Sequence, residues 1–219
     1  MLFRSSVVAH ARMPVLKHFK GVCHLFVDRD ADLAMAVRLT VNAKAQRPSV
    51  CNALETLLVD APVAEAFLPQ ALEALAAAGV EVRADDRTRA IAARTGGPAA
   101  ARVRPATDED WATEHLDYIL NVRVVDGLEE ALAHIQRYST GLADAIVTRD
   151  EGRAQRFLAA VDSAAVLVNA STRLVDGGEF GLGAEIGIST DRIGPRGPMG
   201  PAELTSLKWV VLGSGQIRE

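Results

Sequence analysis

The sequence predicts an α/β protein with parallel strand pairing. Short runs rich in β-branched residues alternate with amphipathic runs of roughly 10–15 residues, as repeated strand–helix units require. The first strand-like run, Val22 to Val27, is apolar almost throughout and reads as a buried strand. The chain has 219 residues, 49% hydrophobic and 24% charged, ordinary values for a globular protein long enough to build a real core.

The elements follow in order. Asp28 and Asp30 are N-cap candidates for a helix running to Gln46, with Leu33, Val37, Thr40, Val41 and Lys44 at helical spacing. Arg47-Pro48-Ser49 breaks that helix, because proline disfavours the helical region in the residue before it. Leu54 to Val59 is strand-like. Ala61-Pro62 opens a second helix, for which Gly79 is a natural terminator, and Val80 to Val82 is a short strand. Asp85 to Arg94 predicts a helix and Thr95 to Pro98 a turn. Strands are expected at 116–125, 145–148 and 165–169, and helices at 128–138 and 151–161. Residues 171–200 are rich in glycine and read as a long functional loop. Leu207 to Leu212 predicts a final strand.

Composition excludes several function classes. There are 24 Lys and Arg against 28 Asp and Glu, a net charge of −4, so no nucleic-acid partner is expected. Two cysteines cannot build a disulfide framework and fit a reducing, cytoplasmic location. No apolar run approaches the roughly 18 residues of a membrane helix, and no targeting signal is expected. The five histidines show no ligand spacing, so no metal is expected.

Cys51 is the leading candidate for chemistry. It follows a helix-breaking loop and precedes a strand, where nucleophiles are often displayed. Arg47 and Lys44 lie within seven residues and could favour a thiolate; a buried structural cysteine is the alternative. Cys23 lies inside an apolar strand and reads as core. Gly181 to Gly187 (GLGAEIG) superficially resembles a dinucleotide fingerprint, but it neither follows a strand nor opens a helix. It reads as a loop approaching a ligand or another backbone.

Two longer motifs add a resemblance. Asn42 to Val59 (NAKAQRPSVCNALETLLV) resembles the nucleophile segment of the γ-glutamyl phosphate reductases. Val168 to Thr190 (VNASTRLVDGGEFGLGAEIGIST), followed by Arg196-Gly197-Pro198-Met199-Gly200, resembles the same family's C-terminal signature. Val15 to Asp32 and Thr113 to Asp126 are similar to it as well. The resemblance implies an aldehyde-dehydrogenase-type catalytic domain with a C-terminal extension and oligomerisation strand. It divides the chain into residues 1–27, the end of a nucleotide-binding domain; 28–170, the catalytic α/β domain; and 171–219, the glycine-rich active-site loop and C-terminal strand. Family enzymes are about twice this length, so the chain resembles their C-terminal half. Residues 1–8 do not share the likeness, and Leu142 stands where the family usually has a histidine.

The resemblance implies NADPH-dependent reduction of L-glutamyl 5-phosphate to L-glutamate 5-semialdehyde, through a thioester on Cys51, in proline biosynthesis. Arg47 is then a phosphate contact or thiolate stabiliser. Arg173 would clamp a substrate carboxylate, with Asn169, Ser171 and Thr172 beside it. Glu114 falls where related dehydrogenases hold the nicotinamide ribose. A homo-oligomer and a channelling partner, glutamate 5-kinase, are also implied. The competing expectation is a remnant that folds or associates but cannot hold NADPH.

Overall fold

The computed structural model describes residues 2–219. Seven parallel strands form one sheet: β1 (Cys23–Val27), β2 (Leu54–Asp60), β3 (Glu81–Ala84), β4 (Val103–Pro105), β5 (Ile119–Val125), β6 (Ala143–Val147) and β7 (Ala165–Val168). Their order is β4-β3-β5-β2-β1-β6-β7. After α1 (Leu2–His10), the helices are α2 (Leu33–Ala45), α3 (Ala61–Ala77), α4 (Asp86–Thr95), α5 (Gly97–Ala101), α6 (Leu128–Tyr138) and α7 (Glu151–Ala160). One core joins the sheet to α2, α3, α4 and α5 through residues such as Leu57, Phe67, Leu75 and Leu120. A second joins it to α6 and α7 through Phe26, Leu58, Ile135 and Phe157. The central strands are buried on both faces, which is why they read as continuous apolar runs.

Several expectations need correction. The N-cap of α2 is Asp32, whose carboxylate accepts from the Met35 N–H at 2.9 Å. Asp28 instead points into a buried ion pair with Arg153. A boundary after residue 27 finds no support, because β1 pairs with β2 on one side and β6 on the other. Gly97 to Ala101 is a helical turn rather than a loop. The strand expected from residue 116 starts at Ile119, because Leu116 takes φ 55 and breaks the extended run. The glycine-rich stretch contains an antiparallel hairpin, β8 (Gly187–Ser189) with β9 (Gly197–Met199). Leu207 to Leu212 forms no strand among the described residues; Leu207, Trp209 and Leu212 are almost wholly exposed. No helix among the described residues is long and apolar enough to cross a membrane.

A buried aromatic knot ties α6 to the sheet. His134 packs edge-on against His24 and Trp111 and lies over Tyr138. Its Nδ1 lies 3.4 Å from an Arg123 Nη, so the neutral ring is the acceptor. Burial, with the nearby His24, Arg123 and Arg137 charges, pushes its pKa down to about 3. The unfolded chain therefore binds one more proton between about pH 3 and 6.5, and stability is lost as pH falls through that range. Burial pushes Glu55 up to about 7, which acts in the opposite sense between its unfolded value and pH 7. Comparing wild type with His134→Phe in denaturant at pH 5 to 6.5 isolates the histidine. The variant should lose less stability on acidification, with a difference in slope of up to about 1.4 kcal/mol per pH unit. Parallel slopes would show that the ring takes up its proton alike in the folded and unfolded chain.

Candidate active site

The site lies at the amino edge of the sheet. Cys51 sits three residues before β2, Cys23 opens β1, and Glu114 precedes β5. This departs from the common rule that open parallel sheets bind ligands at their carboxyl ends. After β7 the chain turns back along α2 and returns Arg173 and Asp176 to this edge. A cleft of about 600 Å³ results, lined among others by His18, Phe19, Arg47, Cys51, Asn52, Glu114, Arg173, Asp176 and Glu185. A second, more apolar lobe of about 470 Å³ shares His18, Phe19, Cys51, Glu185 and Ile188, and adds Val15 and Leu16.

Cys51 is half-buried over an apolar floor of Cys23, Leu142, Ala143 and Val175. Leu142, in the position expected to carry a histidine, is part of that floor. The chain before β1 passes the Cys51 carbonyl so closely that a Cβ on Gly21 would lie 1.7 Å from its oxygen. The Gly21 N–H donates to Glu114 Oε1 at 2.7 Å, which fixes this passage. The Cys23 thiol lies 3.5 Å from the same Cys51 oxygen.

The outer wall is a clasp between remote segments. The Lys17 N–H and ammonium both donate to Asp191, at 3.0 and 3.2 Å, and Thr190 N–H donates to the Lys17 carbonyl. Arg192 and Arg196 hold the same hairpin to Asp162.

Of the expected site residues, Cys51, Arg47, Arg173 and Glu114 come together in the cleft. Arg173 donates from Nε to Gln46 Oε1 at 2.9 Å and from Nη1 to Asn52 Oδ1, so its head is fixed beside the nucleophile. Arg47 is exposed at the rim and forms no ion pair among the described residues. Asn169, Ser171 and Thr172 do not line the cleft. Asn169 brackets the end of β6, accepting from Thr148 N–H and donating to the Thr148 carbonyl. The Ser171 hydroxyl accepts from the Arg173 N–H at 3.3 Å, and Thr172 is fully buried, so these two shape the turn that delivers Arg173. Lys44 is a second correction: its side chain is fully buried and donates to Glu55 at 2.9 Å, away from the thiol. Asn52, Asp176, Glu185, His18 and Phe19 were not expected. Asp176 and Glu185 stand inside quoted motifs, but nothing in their spacing marks them as facing a cleft.

Burial raises the Cys51 pKa, and the charges of Glu114 and Glu185 raise it further, while Arg173 lowers it. Desolvation outweighs the single nearby cation, so the site at rest holds a thiol. Cys23 is completely buried, and its pKa is raised more strongly, first by burial and then by Asp144. Brief alkylation of the native protein with iodoacetamide, read by peptide mass mapping, should therefore modify Cys51 well before Cys23. Its rate should climb with pH, and the midpoint should fall in Glu114→Gln and rise in Arg173→Ala. Equal labelling of both cysteines, or a midpoint indifferent to both variants, would contradict this electrostatic account.

The chain is 57% identical over 218 residues to the γ-glutamyl phosphate reductase of Symbiobacterium thermophilum, across 97% of this chain and 51% of that protein. It superposes on the crystal structure of the γ-glutamyl phosphate reductase of Thermotoga maritima with a TM-score of 0.89 and 50% identity, covering 98% of this chain and 50% of that one. An acetylating aldehyde dehydrogenase from Geobacillus thermoglucosidasius, 17% identical with a TM-score of 0.71, shares the fold. No protein-family model matches the chain. The chain spans about half the length of the curated relatives it matches. It is thus homologous to γ-glutamyl phosphate reductase over about half of that enzyme.

Proposed function

We propose that this chain carries the acyl-transfer centre of a γ-glutamyl phosphate reductase, acting on L-glutamyl 5-phosphate in proline biosynthesis. The observation that carries this reading is the placement of Cys51 in a cleft beside Arg173 and Arg47, in a chain more than half identical to such reductases. The Cys51 sulfur attacks the acyl carbon, the carbon–oxygen bond to phosphate breaks, and a thioester remains on the enzyme. The resting group is a thiol, so its proton leaves as the sulfur attacks and passes to the departing phosphate. Arg47, free of protein carboxylates, meets the departing phosphate. Arg173, braced by Gln46 and Asn52, holds the α-carboxylate and keeps the acyl carbon over the sulfur.

The family reading also assigns NADPH, which supplies hydride when bound. Glu114 is the residue of this chain suited to hold its ribose. One carboxylate oxygen is committed to Gly21 N–H, and the group lines the cleft, where the second oxygen can accept from a hydroxyl. The product is then the semialdehyde.

An acyl phosphate hydrolyses readily in water, so the reading includes close delivery by glutamate 5-kinase. It also includes a cytoplasmic setting, which suits the two free thiols. Self-association belongs to it too: the exposed 207–212 segment offers unpaired backbone and apolar side chains to a second sheet.

The test generates γ-glutamyl phosphate in place, from L-glutamate, ATP and a glutamate kinase, and follows phosphate release. The chain should accelerate release above the spontaneous rate, and Cys51→Ala should abolish the gain. Oxidation of added NADPH tests the hydride step separately. Identical phosphate release with Cys51→Ala would overturn the thioester reading.

A further inference from the structure

The cleft around Cys51 is dipolar. Arg47 and Arg173 supply positive charge, and Asp176 and Glu185, from the loop after β7, supply negative charge; a third acid, Glu114, has one oxygen tied to the Gly21 N–H. No ion pair among the described residues joins the two sets, although they line one cavity. Each acid is anchored through a single oxygen. Asp176 Oδ1 accepts from the Gly178 N–H at 2.8 Å and the Glu179 N–H at 3.4 Å. Glu185 Oε2 accepts from the Gly177 N–H at 2.9 Å. Asp176 Oδ2 and Glu185 Oε1 have no protein partner among the described residues.

The loop that carries these acids is fixed by close backbone contacts. A Cβ on Gly177 would lie 2.7 Å from the Ala184 carbonyl oxygen, and one on Gly200 would lie 2.7 Å from that of Leu182. The acids are therefore held in place before any ligand arrives, and neither can swing across to neutralise Arg173 without breaking an anchor. Opposite charges held apart in one cleft suit a ligand that is itself dipolar. In a γ-glutamyl group the α-carbon stands roughly 4 Å from the acyl carbon when the three C–C bonds are extended, and Asp176 and Glu185 line the same cavity as Cys51.

We propose that Asp176 and Glu185 recognise the α-ammonium of the glutamyl ligand, opposite the carboxylate on Arg173, and so restrict the site to α-amino acids. The proposal rests on the glutamyl reading given above and adds a specificity it does not contain. Without an ammonium, a plain diacid brings its carboxylates close to two uncompensated acids, and the repulsion weakens binding.

The test needs no turnover. Cys51 alkylation by iodoacetamide is timed in the presence of L-glutamate or glutarate, which differ only in the ammonium. L-glutamate should protect the thiol at a roughly ten-fold lower concentration than glutarate. Asp176→Asn and Glu185→Gln keep the backbone acceptors and remove the charge. In the double variant, the preference for glutamate should fall to about even while glutarate protects better. Equal protection of the wild-type protein by both compounds overturns the proposal and leaves the glutamyl reading standing. So does a preference that survives in the double variant. Protection by neither compound overturns the glutamyl reading itself, and the proposal with it.

Discussion

Everything at the amino edge of the sheet depends on how closely two backbones pass each other. Gly21 lies against the carbonyl of Cys51, at a separation that leaves no room for a side chain. The parallel pairing of β1 with β2 begins immediately afterwards, at Cys23 and Leu54. Glu114 pins the Gly21 N–H from the segment before β5. Three strands therefore share one point of contact, and the cysteine is displayed above it. A glycine with an ordinary φ, which no turn requires, is explained by this approach alone.

Buried polarity is handled differently on the two sides of that point. Beneath the cleft, polar groups are paired: Lys44 with Glu55, His24 with Asp144. Asp144 also accepts from the Ser139 hydroxyl at 2.7 Å and from that of Ser163. Such networks fix the geometry because an unmatched member would be expensive. Within the cleft, the charges are left open. Arg47, Arg173, Asp176 and Glu185 form no ion pair with one another among the described residues, although they line one cavity. The thiol lies between these regimes, and its burial outweighs the one favourable cation beside it.

Much of this was legible in the sequence, for identifiable reasons. β1, β2 and β6 announce themselves as largely apolar runs because both faces are covered, whereas β3 alternates buried and half-buried residues. Gly79 ends α3 with φ 82, as its position suggested. Cys51 was visible because Pro48 stops a helix just ahead of it. What escaped notice depends on long-range partners. Lys44 looked like a cation near the thiol, but its helix phase turns it inward to Glu55. β4, β8 and β9 are three-residue strands, and each contains glycine or proline, so local propensity argues against them. Asn169, Ser171 and Thr172 belong to a persuasive motif, yet Asn169 bonds Thr148, Ser171 accepts from the Arg173 N–H, Thr172 is buried, and only Arg173 reaches the cleft. Leu207 to Leu212 has strand propensity but pairs with no strand among the described residues. Asp176 and Glu185 gain meaning only when the loop folds back toward Cys51.

Replacement of Gly21 by alanine tests the central constraint most directly. The added Cβ must push the chain before β1 away from Cys51, loosening the Glu114 contact and the cleft wall together. Thermal unfolding and the pH profile of Cys51 alkylation are measured on the same preparation. The account predicts a lower melting temperature, together with an alkylation midpoint displaced from the wild-type value. A Gly21→Ala protein that melts at the wild-type temperature and alkylates with the wild-type profile would contradict it.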